Sequence, residues 1–198
     1  MDRQEQIFQL ARQVLHQRTQ TTYPRICQDY NKHKQVLLRD LHQSVGHLIE
    51  QARSQQSECG KGPIQYVTTS YLLSSAITGS YEFQLSIQDE QYFLDPVECS
   101  ADWRPSWLFS YAEEDLAAVL TALQRKIPRL RPYELDALWR AYVCEFYYGL
   151  AGLFLAEHMK AVAEAEGLCH LQVKDEVLFV FGGLMDQAVQ LDIWKAQS

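Results

Sequence analysis

The most constraining feature of the sequence is a strict alternation from Tyr81 to Gln88, in which every odd position is apolar and every even position is polar. Successive side chains of a β-strand point to opposite faces of a sheet, so this period of two predicts a strand with one buried face. Helical periods dominate on both sides of the segment. The chain therefore has to combine a sheet with helices.

A three-stranded β-meander is predicted for residues 64–95, with the alternating segment as its central strand. Matching of the apolar faces across Thr78-Gly79-Ser80 selects a three-residue turn before this strand, and Asp89-Glu90 provides a second turn after it. The first turn implies the pairs Ile77 with Tyr81, Leu73 with Leu85, and Tyr71 with Ile87. The second turn implies the pairs Tyr92 with Ile87 and Leu94 with Leu85.

Helical segments are predicted at 1–56 and 110–166. In the first, a short helix over 4–17 is interrupted by the polar residues 18–23, and a long one-sided helix begins at Pro24. In the second, the capping-box pattern beginning at Ser110 opens one helix. Pro132 then opens a central helix that Gly167 ends.

The C-terminal region 170–195 is predicted to form a second β-hairpin. Val189 to Ile193 alternates between apolar and polar residues, and Gly182-Gly183 precedes it. Leu184, Ala188 and Leu191 also fit a helical period, so 184–195 remains open between strand and helix, with strands favoured.

These elements indicate an α+β fold in which about four helices pack on an antiparallel sheet, built from the 64–95 meander and the C-terminal hairpin. A chain of 198 residues that is 47% hydrophobic can bury roughly 70% of its unfolded surface. This burial is enough for one substantial core, and we therefore expect a single globular domain spanning 1–198.

Charge and composition exclude several functional classes. The formal net charge of -7 opposes binding to nucleic acid phosphates or to anionic lipid. The longest uncharged apolar run, 146–156, is shorter than the roughly 20 residues of a membrane helix, so no membrane span is expected. The N-terminus lacks a secretory signal and the five cysteines are widely spaced, which predicts a reduced, cytoplasmic protein.

Glu145 is the leading candidate site residue. It is a lone carboxylate in the most apolar stretch of the chain, and helical spacing places it on one face with Ala141, Gly149, Gly152 and Ala156. We expect another helix or a ligand to approach this stripe of small residues closely. A buried carboxylate there must be hydrogen-bonded, paired with a cation, or protonated. Glu145, Gly149 and Gly152 are thus candidate ligand-binding residues.

Weaker candidates are cationic or metal-binding. The cations Arg125, Lys126, Arg129 and Arg131 form a cluster that could bind an anion, although charges at a helix C-terminus also stabilise its carbonyl end. His33, His42 and His47 share a helix, but none is three or four residues from another, so no metal site is predicted.

Two functional hypotheses remain. The first is a non-catalytic protein that binds a partner chain or a small ligand, with a homodimer as one form of partner. The second is an enzyme that uses Glu145 as a general acid or base in a pocket lined by Gly149 and Gly152. The phosphate-binding, metalloprotease and serine-hydrolase motifs are missing from the sequence. No catalytic residue and no cofactor is therefore assigned, and the binding hypothesis is favoured.

Overall fold

The computed structural model describes residues 2–196, which adopt the predicted α+β fold. Within this range the helices are α1 (Arg3–Glu58), a single turn α2 (Ser75–Thr78), α3 (Ser106–Lys126), and a continuous helix composed of α4 (Asp136–Tyr142), a π-helical segment (Val143–Tyr148) and α5 (Gly149–Ala165). The strands are β1 (Ile64–Tyr71), β2 (Phe83–Gln88), β3 (Ser100–Trp103), β4 (Val173–Gly183) and β5 (Ala188–Lys195). They form a five-stranded sheet in the order β3-β2-β1-β4-β5.

Helix α1 runs through the segment that was predicted to interrupt it. Pro24 lies inside the helix, although a proline there costs about 3 kcal/mol relative to alanine. The buried stripe continues across the segment through Leu15, Thr22 and Ile26. The hydroxyl of Thr19 donates back to the Leu15 carbonyl at 3.0 Å, a bond that is compatible with helical backbone. Tertiary burial therefore overrides the local breaking signal.

A three-stranded antiparallel meander forms from β1, β2 and β3, but only β1 and β2 lie within the predicted range 64–95, and the predicted register between them is wrong. Tyr71 lies opposite Phe83 rather than Ile87. The apolar run was read as one strand to Ile77, whereas β1 ends at Tyr71 and α2 follows, closed by Gly79 at a φ of 73°. Phe83 and Ile87 are an even number of residues apart, so their side chains point to the same face of the sheet. The error in register therefore leaves the predicted face of each side chain unchanged.

The predicted third strand is wrong, because neither Tyr92 nor Leu94 pairs with β2 and the strand that does is β3, outside the predicted range. Residues Tyr92–Leu94 form a 3₁₀ turn, and β3 pairs with β2 through Ala101 opposite Leu85. The Asp95 carboxylate explains the longer connection, because it accepts hydrogen bonds from the backbone N–H groups of Asp89 and Val97, both at 2.9 Å. This side chain stabilises a loop where the sequence pattern suggested a tight hairpin.

The C-terminal hairpin is confirmed, and 184–195 contains a strand rather than a helix. The sheet is not purely antiparallel as predicted, because β1 and β4 pair in parallel, with Val67 opposite Phe179. The long helical connection between these strands permits a parallel pair, which a short hairpin cannot make.

The chain divides into two compact units. Unit 1 contains 2–35, 73–81 and 105–149, and unit 2 contains 36–72, 82–104 and 150–196. Unit 1 is helical, whereas unit 2 contains the sheet, α5 and the second half of α1. The expectation of one domain over 1–198 stays a prediction.

Candidate functional site

Helix α3 carries an aspartate in the middle of its buried face. Ala112, Asp115 and Val119 follow one another at helical spacing, and none of the three exposes any surface. The helix begins at Ser106, so Ser110 lies within it rather than at its start, and the Ser110 hydroxyl donates to the Trp107 carbonyl at 2.7 Å. A carboxylate in the position of Asp115 needs several donors to offset the loss of hydration.

Four side chains supply these donors. Oδ1 of Asp115 accepts hydrogen bonds from Arg18 Nε at 2.6 Å and from Thr22 Oγ1 at 3.0 Å. Oδ2 accepts from Tyr147 Oη at 2.7 Å and from Tyr142 Oη at 3.0 Å. The four bonds use the acceptor capacity of the carboxylate. These five residues, here called the Asp115 cluster, join α1, α3, α4 and the π-helical segment.

The two tyrosines of the cluster are held as hydrogen-bond donors. Burial raises the pKa of Tyr147, and the hydrogen bond to Asp115 raises it further. Burial likewise raises the pKa of Tyr142, while the hydroxyl of Thr19, 3.1 Å away, acts in the opposite direction. An ordinary tyrosine deprotonates only at about pH 10. Both hydroxyls therefore keep their protons at neutral pH.

Tyr142 also forms part of the wall of a cavity of about 580 Å³ in unit 1. Small-molecule sites typically have volumes of about 300–1,000 Å³. Helix α1 contributes Arg12, Leu15, His16 and Thr19 to the wall, and the α4 side contributes Leu138, Ala141, Tyr142, Glu145 and Phe146. The wall thus combines apolar surface with one carboxylate, one guanidinium and one imidazole.

Glu145 lies at this cavity, but the predicted stripe of small residues does not exist. Ala141, Glu145 and Gly149 are exposed, and a Cβ atom built on Gly149 would meet no described atom within 4 Å. Gly152 is buried in unit 2, where a Cβ atom would lie 2.9 Å from the Phe181 ring. Two residues of the predicted stripe, Ala141 and Glu145, therefore lie in the cavity wall, whereas neither glycine belongs to its described part.

The π-helical segment explains this error. Its backbone hydrogen bonds connect residues five apart rather than four, so side chains are displaced from regular α-helical positions. Val143, Tyr147 and Tyr148 are the buried residues of this segment. Glu145 consequently faces the cavity and solvent, and π-helical segments of this kind occur frequently at functional sites.

The predicted cluster of cations is divided between two environments. Arg125 and Lys126 occupy the exposed last turn of α3, where positive charge stabilises the helix end. Arg129 and Arg131 line a separate cavity of about 380 Å³ with Arg3 and Glu134. Arg3 donates to Glu134 at 2.8 Å, and this hydrogen bond lowers the pKa of Glu134 to about 2. A carboxylate therefore already occupies the most cationic part of the cluster, and anion binding there stays a prediction.

The histidines considered as ligands have other partners. His33 stacks on Trp107 with ring centroids 5.0 Å apart, and His42 Nδ1 lies 2.6 Å from the Glu166 carboxylate. Among residues 2–196, no group of three His, Cys, Asp or Glu side chains is arranged to hold a metal ion. Over the same range, no helix is long and apolar enough to cross a membrane.

Comparisons with known proteins returned no matching family model, no matching curated protein and no matching solved structure. The function is therefore inferred only from the residues of the cavity and of the Asp115 cluster.

Proposed function

We propose that the protein binds a small organic ligand in the cavity of unit 1 lined by Tyr142 and Glu145. The observation that supports this proposal most strongly is the position of Tyr142, which contributes to the cavity wall and donates to the buried Asp115 at 3.0 Å. A side chain fixed by such a bond loses little conformational freedom when it contacts a ligand, which favours binding.

The wall indicates the chemistry of the ligand. Leu15 and Leu138 are buried apolar residues that suit an apolar group. Arg12 and Glu145 bear opposite charges and favour a ligand that carries both an acceptor and a donor. A concave site of this volume suits a small molecule better than a partner chain, because stable protein interfaces bury about 800 Å² on each partner. Homodimerisation and a cytoplasmic location remain predictions.

Filling the cavity provides a test that leaves the fold intact. Ala141 is exposed at the wall, so Ala141→Phe should occupy the cavity without disturbing the core. Ala137→Phe is the matched control, since Ala137 is also exposed on α4 but lies outside the described wall. In a thermal-shift screen of small amphipathic compounds, those that raise the Tm of the parent should raise the Tm of Ala137→Phe but not of Ala141→Phe. Equal protection of both variants, or none of the parent, would contradict the proposal.

An enzyme is the second candidate, and one observation favours it. His16 lies at the same cavity as Glu145, which supplies the second titratable group that acid–base catalysis requires. Because Glu145 is exposed, Glu145→Gln should change the free energy of unfolding by less than about 0.5 kcal/mol. If Glu145 is a general acid or base, Glu145→Gln should still bind the compounds found in the screen. It should lose the ability to turn over a panel of esters, amides and glycosides. Unchanged turnover would exclude the catalytic role of Glu145.

A further inference from the structure

Unit 2 also contains a cavity, and it lies on a polar face of the sheet. Opposed residues of antiparallel strands point to the same face. One face of β1 and β2 therefore carries three opposed pairs: Tyr66 with Gln88, Thr68 with Ser86, and Ser70 with Gln84. We call this surface the polar sheet face. All six of its residues bear a hydroxyl or an amide, residue types that are mostly exposed rather than placed in a core for packing alone.

The other face of the same strands forms the apolar core of unit 2. Leu85 and Phe83 are fully buried there. The rings of Phe83 and Phe181 pack with their centroids 6.0 Å apart. Phe181 in turn packs against Gly152 of α5. The hydrophobic requirement of the sheet is thus met by the face that packs on α5, and the polar sheet face is available for another role.

A cavity of about 290 Å³ opens on the polar sheet face. Gln84, Ser86 and Gln88 contribute to its wall from β2, and Tyr92 and Phe93 contribute aromatic rings from the following 3₁₀ turn. The two rings are in contact, with centroids 4.2 Å apart. The volume lies at the lower end of the range for small-molecule sites, about 300 Å³.

Gln88 is the residue that points to a ligand. It is 8% exposed, and its Oε1 atom is buried without a hydrogen-bond partner anywhere in 2–196. Native proteins rarely leave such an atom unpaired, because the lost hydrogen bonds to water are not replaced. Thr68 Oγ1, on the same face, is also buried and unpartnered within the described residues, but Thr68 is not part of the described cavity wall.

The charges around the cavity exclude an anionic ligand. Lys61 is close by, but its Nζ atom is 2.5 Å from Asp95 and donates to the Val97 carbonyl at 2.6 Å. Its side chain has no exposed surface. Lys61 is not part of the described wall, which contains no cation and includes the carboxylates of Asp95 and Glu98. A phosphate or carboxylate group would find no positive partner there.

The backbone beside the cavity is held in an uncommon conformation. Tyr92 and Met185, both in its wall, have φ angles of 57° and 56°. Residues with a Cβ atom rarely adopt such angles, and strain of this kind is concentrated at binding sites. The strain is consistent with a wall shaped for a ligand.

From this arrangement we propose that the cavity on the polar sheet face binds a neutral polyhydroxylated ligand of monosaccharide size. A sugar hydroxyl both donates and accepts, so a row of sugar hydroxyls matches the amides of Gln84 and Gln88, the hydroxyl of Ser86 and the carboxylate of Glu98. One hydroxyl donates to the buried Oε1 of Gln88. The rings of Tyr92 and Phe93 cover the apolar C–H face of the sugar, as aromatic side chains do in small-molecule sites.

The test is a titration of the ¹⁵N-labelled full-length protein with D-glucose, D-galactose and D-glucose 6-phosphate, followed by NMR. At least one neutral sugar should shift the side-chain amide signals of Gln84 and Gln88 saturably, and the phosphate ester should bind at least about tenfold more weakly than glucose. Failure of both neutral sugars to give a saturable shift up to roughly 50 mM, well above a millimolar Kd, would overturn the proposal. Tighter binding of the phosphate ester would overturn it as well.

Two variants separate a ligand role of Gln88 from a structural one. Gln88→Leu removes the unpartnered Oε1 atom, so the Tm should be unchanged or higher while sugar affinity falls by about tenfold or more. Thr68→Val is the matched control, because it removes the other unpartnered atom of the face outside the cavity wall. Its Tm should also be unchanged or higher, with unaltered sugar affinity. A lower Tm in Gln88→Leu, or full sugar affinity in that variant, would contradict the assignment.

Discussion

Replacement of Asp115 by alanine is expected to destabilise the protein by about 3–5 kcal/mol, the loss typical when one partner of a buried ion pair is removed. The change deletes the acceptor of four hydrogen bonds and leaves the Arg18 guanidinium without its closest counter-charge. It also leaves the hydroxyl of Tyr147, a fully buried residue, without that acceptor. Because domains are stable by only about 5–15 kcal/mol, this loss would remove a large part of the total.

Chemical denaturation of Asp115→Ala and of Glu114→Gln would test this expectation. Glu114 is the neighbouring carboxylate and is paired with Arg25 at 2.9 Å, but the two side chains are 50% and 47% exposed. An exposed pair contributes at most about 1 kcal/mol, so Glu114→Gln should lie within that limit of the parent. Similar losses in the two variants would show that the Asp115 cluster does not have the stabilising role assigned to it.

Asp115 further links stability to the proposed ligand site. Its removal leaves the Tyr142 hydroxyl with only the Thr19 hydroxyl as a described partner and thereby loosens a residue of the cavity wall. Compounds that bind the parent in the cavity should therefore bind Asp115→Ala less tightly even at temperatures where the variant is still folded. Calorimetric titration below the Tm of the variant would measure this effect directly.

Introduction of leucine at Gly152 is expected to destabilise the protein by about 1–3 kcal/mol or more, through overpacking. The first atom of the new side chain would already lie 2.9 Å from the Phe181 ring. That ring cannot move aside easily, because it also contacts Tyr71 and Phe83 at centroid distances of 5.7 and 6.0 Å. The remaining carbon atoms of leucine would enlarge the conflict.

The same substitution at Gly149 is the matched control, with the opposite expected sign. A side chain at this exposed helical position would meet no described atom within 4 Å. Leucine is a better helix former than glycine by roughly 0.5–1 kcal/mol, so Gly149→Leu should be neutral or stabilising. Thermal melts of the two variants would decide, and a loss of stability in Gly149→Leu as large as that in Gly152→Leu would contradict the exposed position assigned to Gly149.

The prediction of secondary structure succeeded where a period extended over many residues. The alternation from Tyr81 to Gln88 identified β2, and the apolar stripe through Leu37, Leu41 and Val45 identified the buried face of α1. Such patterns follow from the local geometry of a helix or a strand. They can therefore be recognised without knowledge of the remainder of the chain. The errors fell at Pro24, after Tyr71, and at Tyr92–Leu94, which form a 3₁₀ turn instead of the predicted strand.

The candidate site was found only in part. Glu145 attracted attention because it is a lone acid in an apolar stretch, and it does lie at a cavity. The buried acid, however, is Asp115, whose signal was its place between Ala112 and Val119 on the buried face of α3. The buried stripe of that helix was predicted as Leu116, Val119, Leu120 and Leu123, without Asp115. An acid at such a position indicates a polar network, which the helical period could have revealed.

By itself, the sequence determined the fold class, the order of most helices and strands, and the buried faces of α1 and β2. Only the tertiary structure decided the parallel pairing of β1 with β4, the register of β1 on β2, and the π-helical segment that turns Tyr147 inward and Glu145 outward. The physical reason is the range of the interactions. A period reports how one segment divides between solvent and core, whereas register, helix phase and the partners of a buried carboxylate depend on side chains far apart in the sequence.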